Sequence, residues 1–408
     1  MASFIRMTHF QNYGERSVLR GAVLIYLTAA AIYTVLRYLM EVRLGGQVWT
    51  TGDWLISYRA GFIRRGLTGS ITYGLTDLTG IPALYVAAAT QILIFAALIA
   101  AVFFMLRHIK MTVPVAILAF SPVFLLMPFF FVKLAMTKEM IGFLAVALVG
   151  LTAFTRHRWP LWVGLVVFAA AGFAHEINAF LAPDLLALLF IMALAGVLPR
   201  RQAVLAAGVV GVSAGAAILS AMLFSGQGMG DAVCKVMLSY GGIADFCEHN
   251  GPTVWLDRDM AYGIHFTWVE NVLKGVWPWF ILGFVLSMAP FALFKVTGDD
   301  SGRQTRFALL AAVIGIVAYS PLFVLASDWG RWIQMHVFCL TIMTFVSLRL
   351  GLLKERFENL SPAFLVISLA WAMPDYGEPL TAGFLQKAVS LVGHAEQFLG
   401  GKLDEPDA

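Results

Sequence analysis

Charged side chains are scarce in this sequence of 408 residues, because Asp, Glu, Lys and Arg together contribute only 13% of it. A soluble domain carries about 25% of these residues, so an ordinary soluble protein is excluded. Hydrophobic residues contribute 60%, and the mean hydropathy is +0.81. The composition therefore predicts an integral membrane protein whose surroundings are a lipid bilayer.

Nucleotide-binding and nucleophile motifs are also missing. The sequence contains no phosphate-binding glycine loop, no dinucleotide fingerprint and no nucleophile elbow, so it does not predict a reaction driven directly by a cytoplasmic nucleotide. The net charge of +4 predicts no nucleic-acid partner, since in a membrane protein the placement of Lys and Arg matters more than their sum.

Cysteine is rare, with three residues in the chain. Cys339 lies within an apolar run and is expected to be inert packing. Cys234 and Cys247 lie in one polar loop, where an oxidising compartment would allow them to form a disulfide; two separate thiols are the alternative.

Apolar runs of membrane-spanning length recur along the chain. They predict an all-α, polytopic transmembrane helical bundle, organised as one membrane domain over residues 1–408, with about eleven spans. The expected spans lie near residues 22–40, 82–105, 112–132, 140–154, 160–174, 178–198, 203–224, 276–294, 307–326, 333–348 and 360–374. The run 159–198 is divided because His175, Glu176 and Pro183 interrupt it. Basic residues recur in alternate loops, which predicts a cytoplasmic N-terminus.

The loops on the opposite face carry most of the unusual polar residues. They are a first loop, 41–81, with an amphipathic segment, a large loop, 225–275, and a C-terminal tail, 375–408, that is expected to lie in the membrane interface. The large loop contains Trp255 near Asp257 and Arg258, a mixture suited to a sugar-binding lid. A functional site is therefore expected on this face.

The segment 52–69 places the carboxylate of Asp53 among three arginines, which are Arg59, Arg64 and Arg65. Apolar residues recur there at helical spacing, namely Leu55, Tyr58 and Phe62. This spacing predicts an amphipathic helix along the bilayer surface with Arg64 facing water. Because the guanidinium fork matches phosphate oxygens, the arginines are candidates for binding a phosphate-bearing ligand; the alternative is that they only reach lipid head groups.

Two further pairs of ionisable residues stand at predicted span ends. Lys138 and Glu139 are candidates for substrate binding, or they only favour a helix N-terminus and its head-group contacts. His175 and Glu176 are predicted to be functional, because ionisable groups within hydrocarbon are costly. No second histidine stands four residues after His175, so a zinc site is not predicted.

The sequence ASDWGRW contains Asp328 and Arg331 three residues apart, close enough on a helix to form a salt bridge. Either this pair is structural, or Arg331 binds a ligand phosphate while Asp328 orients it. Trp329 and Trp332 then offer flat surfaces for a sugar or an isoprenoid chain.

With its first long loop, its acidic Asp53 and its large second loop, this layout resembles the GT-C membrane glycosyltransferases. The motifs YRAGFIRRG, KE, HE and DWGR also resemble those of polytopic proteins of bacterial surface-polysaccharide synthesis and of Wzy-like polymerases. In those enzymes a sugar passes at the periplasmic face of the inner membrane from a polyprenyl-phosphate or -pyrophosphate donor to a saccharide acceptor.

The resemblance implies Asp53 as the catalytic base, with Glu176 and His175 near the reacting centre and the arginines on the donor phosphate. No cofactor is implied, and a divalent metal and the oligomeric state stay open. Two other classes stay open as well. One is a transporter or flippase of lipid-linked saccharides, which would need buried charges along the depth of the bundle. The other is an acyltransferase of surface glycans, with His175 as base.

Overall fold

The computed structural model describes residues 2–125, 127–130, 136–224, 228–247, 251–297, 316–356, 365, 368–374 and 381–383. The predicted interfacial tail lies outside these residues, except for 381–383. The expected span near 307–326 is described from Ile316 onward, and the last expected span only in part. Over the described residues the chain is mostly helical, so an all-α membrane protein is confirmed at that level.

Fourteen α-helices are described. They are α1 (Ala2–Arg43), α2 (Leu67–Thr79), α3 (Ala83–His108), α4 (Val113–Ala119), α5 (Met127–Phe130), α6 (Glu139–Leu151), α7 (Trp159–Ala174), α8 (Ala182–Leu194), α9 (Arg200–Leu223), α10 (Met229–Ser239), α11 (Met260–Thr267), α12 (Trp277–Met288), α13 (Ile316–Leu325) and α14 (Trp329–Arg349). Two short antiparallel strand pairs join β1 (Phe294–Val296) to β2 (Leu353–Glu355) and β3 (Trp371–Ala372) to β4 (Thr381–Ala382).

Five helical stretches of the described chain are long and apolar enough to cross a membrane. They are Ser17–Arg43, Ala83–His108, Glu176–Leu194, Arg200–Leu223 and Trp329–Arg349. A sixth is added if Met260–Leu273 and Trp277–Leu293, bent by 84°, are one broken span. Three shorter apolar helices are Glu139–Leu151, Trp159–Ala174 and Ile316–Leu325. The count of eleven spans thus stays a prediction.

Proline explains one departure from the expected spans. The run near 112–132 contains the short helices α4 and α5 rather than one described helix. Pro114 opens α4, and Pro122 follows its end. Because proline lacks an N–H group and clashes with the preceding turn, it begins helices and interrupts them.

The predicted break in the run 159–198 is confirmed. Helix α7 ends at Ala174, and His175 has an extended backbone (φ −157°, ψ 121°). A 3₁₀ turn, Glu176–Leu181, then leads into α8. Asn178 fastens this break, since its amide donates to Ala171 O at 3.1 Å and to Lys138 O at 3.3 Å. His175 and Glu176 are therefore held at a helix junction rather than along a helix face.

Close backbone approach holds the centre of the bundle together. Helix α6 packs on α7 and also contacts α3 and α14. A Cβ atom on Gly164 of α7 would lie 2.8 Å from Val149 Cγ2 and 3.0 Å from Ala145 O, so only glycine fits there. In a bilayer, burying apolar surface does little to drive helices together, so tight van der Waals packing of small residues takes that role.

Segments 47–79, 228–247 and 251–259 form a small layer over one end of these helices, and we call it the cap. Its own apolar core includes Trp54, Val233, Phe246 and Leu256. Cys234 and Cys247 form a disulfide within it, with their Cα atoms 5.6 Å apart, which decides between the disulfide and the two separate thiols that the sequence left open.

The prediction of an amphipathic helix along the segment 52–69 is wrong. The chain forms two 3₁₀ turns, Asp53–Leu55 and Tyr58–Ala60, before α2 begins. Gly61 (φ 118°) and Arg65 (φ 66°) then adopt backbone angles that a right-handed helix does not permit. Leu55 is buried in the cap core instead of facing lipid.

Candidate functional site

Charged residues from five separate stretches of the chain meet where the cap covers the helix ends. We call them the charge cluster, which comprises Asp53, Arg64, Arg65, Lys138, Glu139, His175, Glu176, Asp328 and Arg331. Helix α7 ends beside it, while α6, α14 and the stretch Glu176–Leu194 begin there. The structure thus brings together nearly all the site residues that the sequence singled out.

Arg65 and Glu176 form the best-aligned pair of the charge cluster. Arg65 Nε donates to both oxygens of Glu176, at 2.9 and 3.0 Å, and Nη2 donates to Oε1 at 2.6 Å. Burial disfavours the charge on Arg65, but the carboxylates of Glu176 and Asp53 outweigh burial and raise the pKa of the guanidinium. The positive φ of Arg65 is uncommon for a residue with a side chain, so surrounding contacts must hold it in place.

Lys138 connects Arg65 to Asp53. Its ammonium group is fully buried, donates to Arg65 O at 3.0 Å and lies 3.3 Å from Asp53 Oδ2. Burial lowers the pKa of Lys138, and the Asp53 carboxylate opposes that shift. The predicted substrate-binding lysine is therefore part of the framework that fixes both neighbours.

Gln91 of α3 is a residue that the sequence analysis missed. Its amide donates to Thr50 O at 2.6 Å and to Met136 O at 2.8 Å, and its oxygen accepts from Tyr38. Thr50 precedes Asp53 by three residues, and Met136 precedes Lys138 by two. Gln91 thus connects the turn that carries Asp53 to the turn that carries Lys138, and these two residues form an ion pair. A lone glutamine in an apolar run was the available signal.

Arg64 links the charge cluster to the cap. Its Nη2 donates to Trp255 O, and its Nη1 lies 3.5 Å from Glu176 Oε1. Burial lowers the pKa of this guanidinium, although Glu176 acts in the other direction. The prediction that Arg64 faces water is wrong, because the chain turns at Gly61 and directs this side chain inward.

Arg331 binds two carboxylates from different parts of the chain. Nη1 donates to Asp328 Oδ2 at 3.2 Å, and Nη2 donates to Glu139. Trp332 does not offer the open flat surface that was predicted. It is fully buried, and its indole donates to Ala326 O at 3.3 Å, while the Arg331 guanidinium lies over its ring at 5.6 Å.

His175 is buried beside Glu176, with Nδ1 3.7 Å from Glu176 Oε2. The same nitrogen accepts a hydrogen bond from Ile177 N at 3.3 Å. This bond closes the turn between α7 and the next helix. In this arrangement the lone pair of His175 Nδ1, which a general base would use to take up a proton, already accepts the hydrogen bond that closes the turn.

Arg59 lies apart from the charge cluster. It pairs with Asp77 of α2 and lies over the ring of Tyr240, and its side chain is 37% exposed. The spacing of the three arginines in sequence did not reveal this separation, because it depends on the turns around Gly61. Arg59 is therefore removed from the set that can act together with Asp53.

The charge cluster is electrically balanced. Its cations Arg64, Arg65, Lys138 and Arg331 face the anions Asp53, Glu139, Glu176 and Asp328. Within the described part of the chain, three buried atoms of these residues make no hydrogen bond, namely Asp53 Oδ1, Glu139 Oε2 and Arg64 Nε. Two acceptors and one donor of the charge cluster thus lack a hydrogen-bond partner, although Asp53 Oδ1 lies 3.9 Å from Arg65 Nη1.

A second polar group, which we call the inner cluster, lies deeper between the helices and was also missed. Asp184 of α8 accepts a hydrogen bond from Tyr319 of α13 at 2.7 Å, and its other oxygen lies 3.6 Å from His336 Nδ1. All three side chains are buried. Ionisable residues inside predicted spans were the signal that could have found them.

Among the described residues, no three His, Cys, Asp or Glu side chains are arranged to hold a metal ion. No family model matches the chain, and no curated protein and no solved structure matches it either.

Proposed function

We propose that this chain is a bacterial inner-membrane enzyme that transfers a glycosyl unit from a polyprenyl-phosphate or -pyrophosphate donor to a saccharide acceptor at the periplasmic face. The observation that carries the proposal is the charge cluster, where buried cations and a carboxylate oxygen without a hydrogen bond meet at the ends of apolar helices. Such a site can receive a phosphate head group while the lipid tail lies along the helices.

The donor phosphate takes the place of the Glu176 carboxylate. Arg65 holds that carboxylate through three close N–O contacts, and phosphate oxygens can accept the same fork of donors. Because the cluster is balanced, a phosphate that arrives without displacing a carboxylate would leave buried negative charge in excess. Exchange at Arg65 removes that cost, and Arg64 Nε offers a further donor.

Asp53 is the base in this mechanism. Its Oδ1 is buried without a hydrogen bond in the described structure, while Lys138 lies at Oδ2. The acceptor hydroxyl gives its proton to Oδ1 and its oxygen bonds to the anomeric carbon. The bond between that carbon and the phosphate oxygen breaks, and the leaving phosphate takes the electron pair. Arg65 and Lys138 stabilise the developing negative charge.

A transporter or flippase of lipid-linked saccharides is the second candidate. The inner cluster favours it, because Asp184 and His336 are ionisable groups inside the bundle, where such groups often mark a path. The acyltransferase has less support, since His175 Nδ1 already accepts the Ile177 amide.

Binding of farnesyl phosphate, a short isoprenoid phosphate, to the purified protein in nanodiscs tests the donor site. We expect Arg65→Lys to weaken binding at least tenfold, because lysine keeps the charge but not the fork. Arg59→Lys is the matched control and should bind as the parent protein does. Equal binding by all three proteins would refute the donor site.

Proteoliposomes containing polyprenyl-phosphate sugars and oligosaccharide acceptors separate the two candidates. A glycosyltransferase yields a lengthened acceptor and free polyprenyl phosphate, both of which mass spectrometry detects. A flippase moves the intact donor across the bilayer and leaves its bond to the sugar unbroken. Movement without bond cleavage would overturn the enzyme proposal.

A further inference from the structure

A cavity of about 360 Å³ opens in the cap beside the disulfide. Its volume falls at the lower end of the range of about 300 to 1,000 Å³ that is typical of small-molecule sites. The polar residues that line it include Asp231, Thr253, Asp257 and Arg258. We call it the cap pocket.

The frame of the cap pocket is fixed. Asp257 Oδ1 accepts a hydrogen bond from Gly230 N at 3.0 Å, and Cys247, which the disulfide holds in place, also lines the pocket. A Cβ atom on Gly230 would lie 2.5 Å from Thr253 O and 2.8 Å from Asp257 Oδ2, so glycine is required for this approach. Asp257 Oδ2 and the backbone carbonyl of Thr253 therefore both lie close to Gly230, where a side chain would have to be.

The chemistry of the lining suits a ring of hydroxyl groups. Two carboxylates can accept hydrogen bonds and one guanidinium can donate them, and the lining as a whole is more polar than apolar. The Arg258 guanidinium is supported by the ring of Tyr262, at 4.3 Å from its centroid. Asp231 and Asp257 against Arg258 give a net charge of −1, which disfavours an acidic sugar and favours a neutral or amino sugar.

One turn joins the cap pocket to the charge cluster. Val254–Leu256 is a 3₁₀ turn between the lining residues Thr253 and Asp257, and Arg64 donates to the carbonyl of its central residue, Trp255. The ring of Trp255 also packs against Tyr262, with centroids 5.7 Å apart. A ligand in the pocket therefore lies beside the turn that Arg64 holds.

We propose that the cap pocket binds the acceptor saccharide and selects neutral or amino sugars over uronic acids. The proposal rests on the proposed glycosyl transfer, because it assigns the acceptor of that reaction. It also stands as a binding site by itself, and the experiment measures binding without any donor.

Saturation-transfer NMR on the full chain in phosphatidylcholine nanodiscs tests the site, with glucose, glucosamine, N-acetylglucosamine and glucuronic acid as probes. We expect signals from the first three sugars and at least fivefold weaker signals from glucuronic acid. Asp231→Asn should weaken the signals at least threefold. Asp245→Asn, which removes an exposed carboxylate of the cap outside the pocket lining, should leave them unchanged.

Absence of signal from every sugar, equal signals from Asp231→Asn and the parent protein, or the strongest signal from glucuronic acid would each overturn the proposal. Arg258→Lys provides a second variant if Asp231→Asn does not fold, and it should also weaken binding. Arg65→Lys should bind sugars normally. Sugar binding by a parent protein that shows no transfer activity would refute the proposed function and leave the saccharide site in place.

Discussion

The charge cluster and the inner cluster are both buried, but their polar atoms differ in whether they have partners. In the charge cluster each carboxylate faces a cation, as in the 2.6 Å contact between Arg65 and Glu176. In the inner cluster Asp184 has Tyr319 as its hydrogen-bond donor, while neither ring nitrogen of His336 makes a hydrogen bond within the described residues. The first group is an ion-pair network, and the second is a partly satisfied polar group.

This difference determines what each group can tolerate. Removing one member of a buried ion pair leaves an uncompensated charge, which costs about 3 to 5 kcal/mol. Removing an unsatisfied polar group can be neutral or stabilising, because no hydrogen bond compensates the cost of taking that group out of water. The charge cluster is therefore expected to be rigid and sensitive to single changes, while the inner cluster is expected to tolerate them unless it binds something.

The largest expected effect is on turnover in Asp53→Asn. If Asp53 takes the proton of the acceptor, its loss lowers the rate of transfer by about 10² to 10⁴ with little change in donor binding. Asn keeps the shape of the side chain but not its charge, so Lys138 loses its carboxylate partner and turnover is compared on the folded variant. Steady-state transfer and farnesyl phosphate binding are the two measurements. Near-normal turnover would exclude Asp53 as the base.

Glu176→Gln is expected to reduce the free energy of unfolding by about 3 to 5 kcal/mol, because Arg65 stays buried beside a neutral amide. Denaturant unfolding of the purified protein measures this. Asp77→Asn, which breaks the exposed pair with Arg59, is the control and should leave the unfolding midpoint unchanged. Equal effects in both variants would remove the distinction between the charge cluster and a surface pair.

The same variant sharpens the mechanism of donor binding. If phosphate replaces the Glu176 carboxylate at Arg65, removing that competitor should make the folded Glu176→Gln protein bind farnesyl phosphate about tenfold more tightly, equivalent to about 1.4 kcal/mol. The parent protein is the reference. Weaker binding by Glu176→Gln would show that the carboxylate assists the phosphate rather than competes with it.

Much of the charge cluster could be predicted because its residues are costly where they occur. His175 and Glu176 interrupt an apolar run, and the structure places them at a helix junction, where Glu176 contacts Arg65 and His175 lies beside Glu176. The same reasoning applied one helix further on would have found Asp184. Sequence thus identifies which residues need partners, because an ionisable side chain in hydrocarbon requires them.

The partners themselves could not be read from the sequence. Arg59 and Arg64 are five residues apart, yet the turns at Gly61 and Arg65 send one toward Asp77 and the other toward Glu176. Helical spacing predicted that these arginines lie along one amphipathic helix, because it assumes a continuous helix through the segment. The burial of Trp332 could not be predicted either, since an aromatic residue at the end of a span can lie in the membrane interface or in the protein core.

Gln91→Leu should lower the free energy of unfolding by an amount comparable to the effect of Glu176→Gln, but should affect turnover less than Asp53→Asn. Losing the amide leaves the carbonyls of Thr50 and Met136 without this donor, at a cost of about 1 to 3 kcal/mol for each buried group. We also expect lower turnover at unchanged donor binding, because the turns that carry Asp53 and Lys138 separate. Gln334→Leu, which frees the single carbonyl of Phe124, is the matched control and should keep normal turnover.

The smallest expected effect is in His336→Leu, which tests the inner cluster. Because neither ring nitrogen is hydrogen-bonded in the described structure, an apolar side chain of similar size should change the free energy of unfolding by less than about 1 kcal/mol. Glycosyl transfer should stay at the parent rate, since the variant leaves every ion pair of the charge cluster in place. Unfolding and transfer are measured on one preparation. Destabilisation as large as that of Glu176→Gln would mean that His336 has a partner, such as a buried water. Loss of donor movement in proteoliposomes at unchanged stability would favour the transporter, because the inner cluster would then be the part of the bundle that acts.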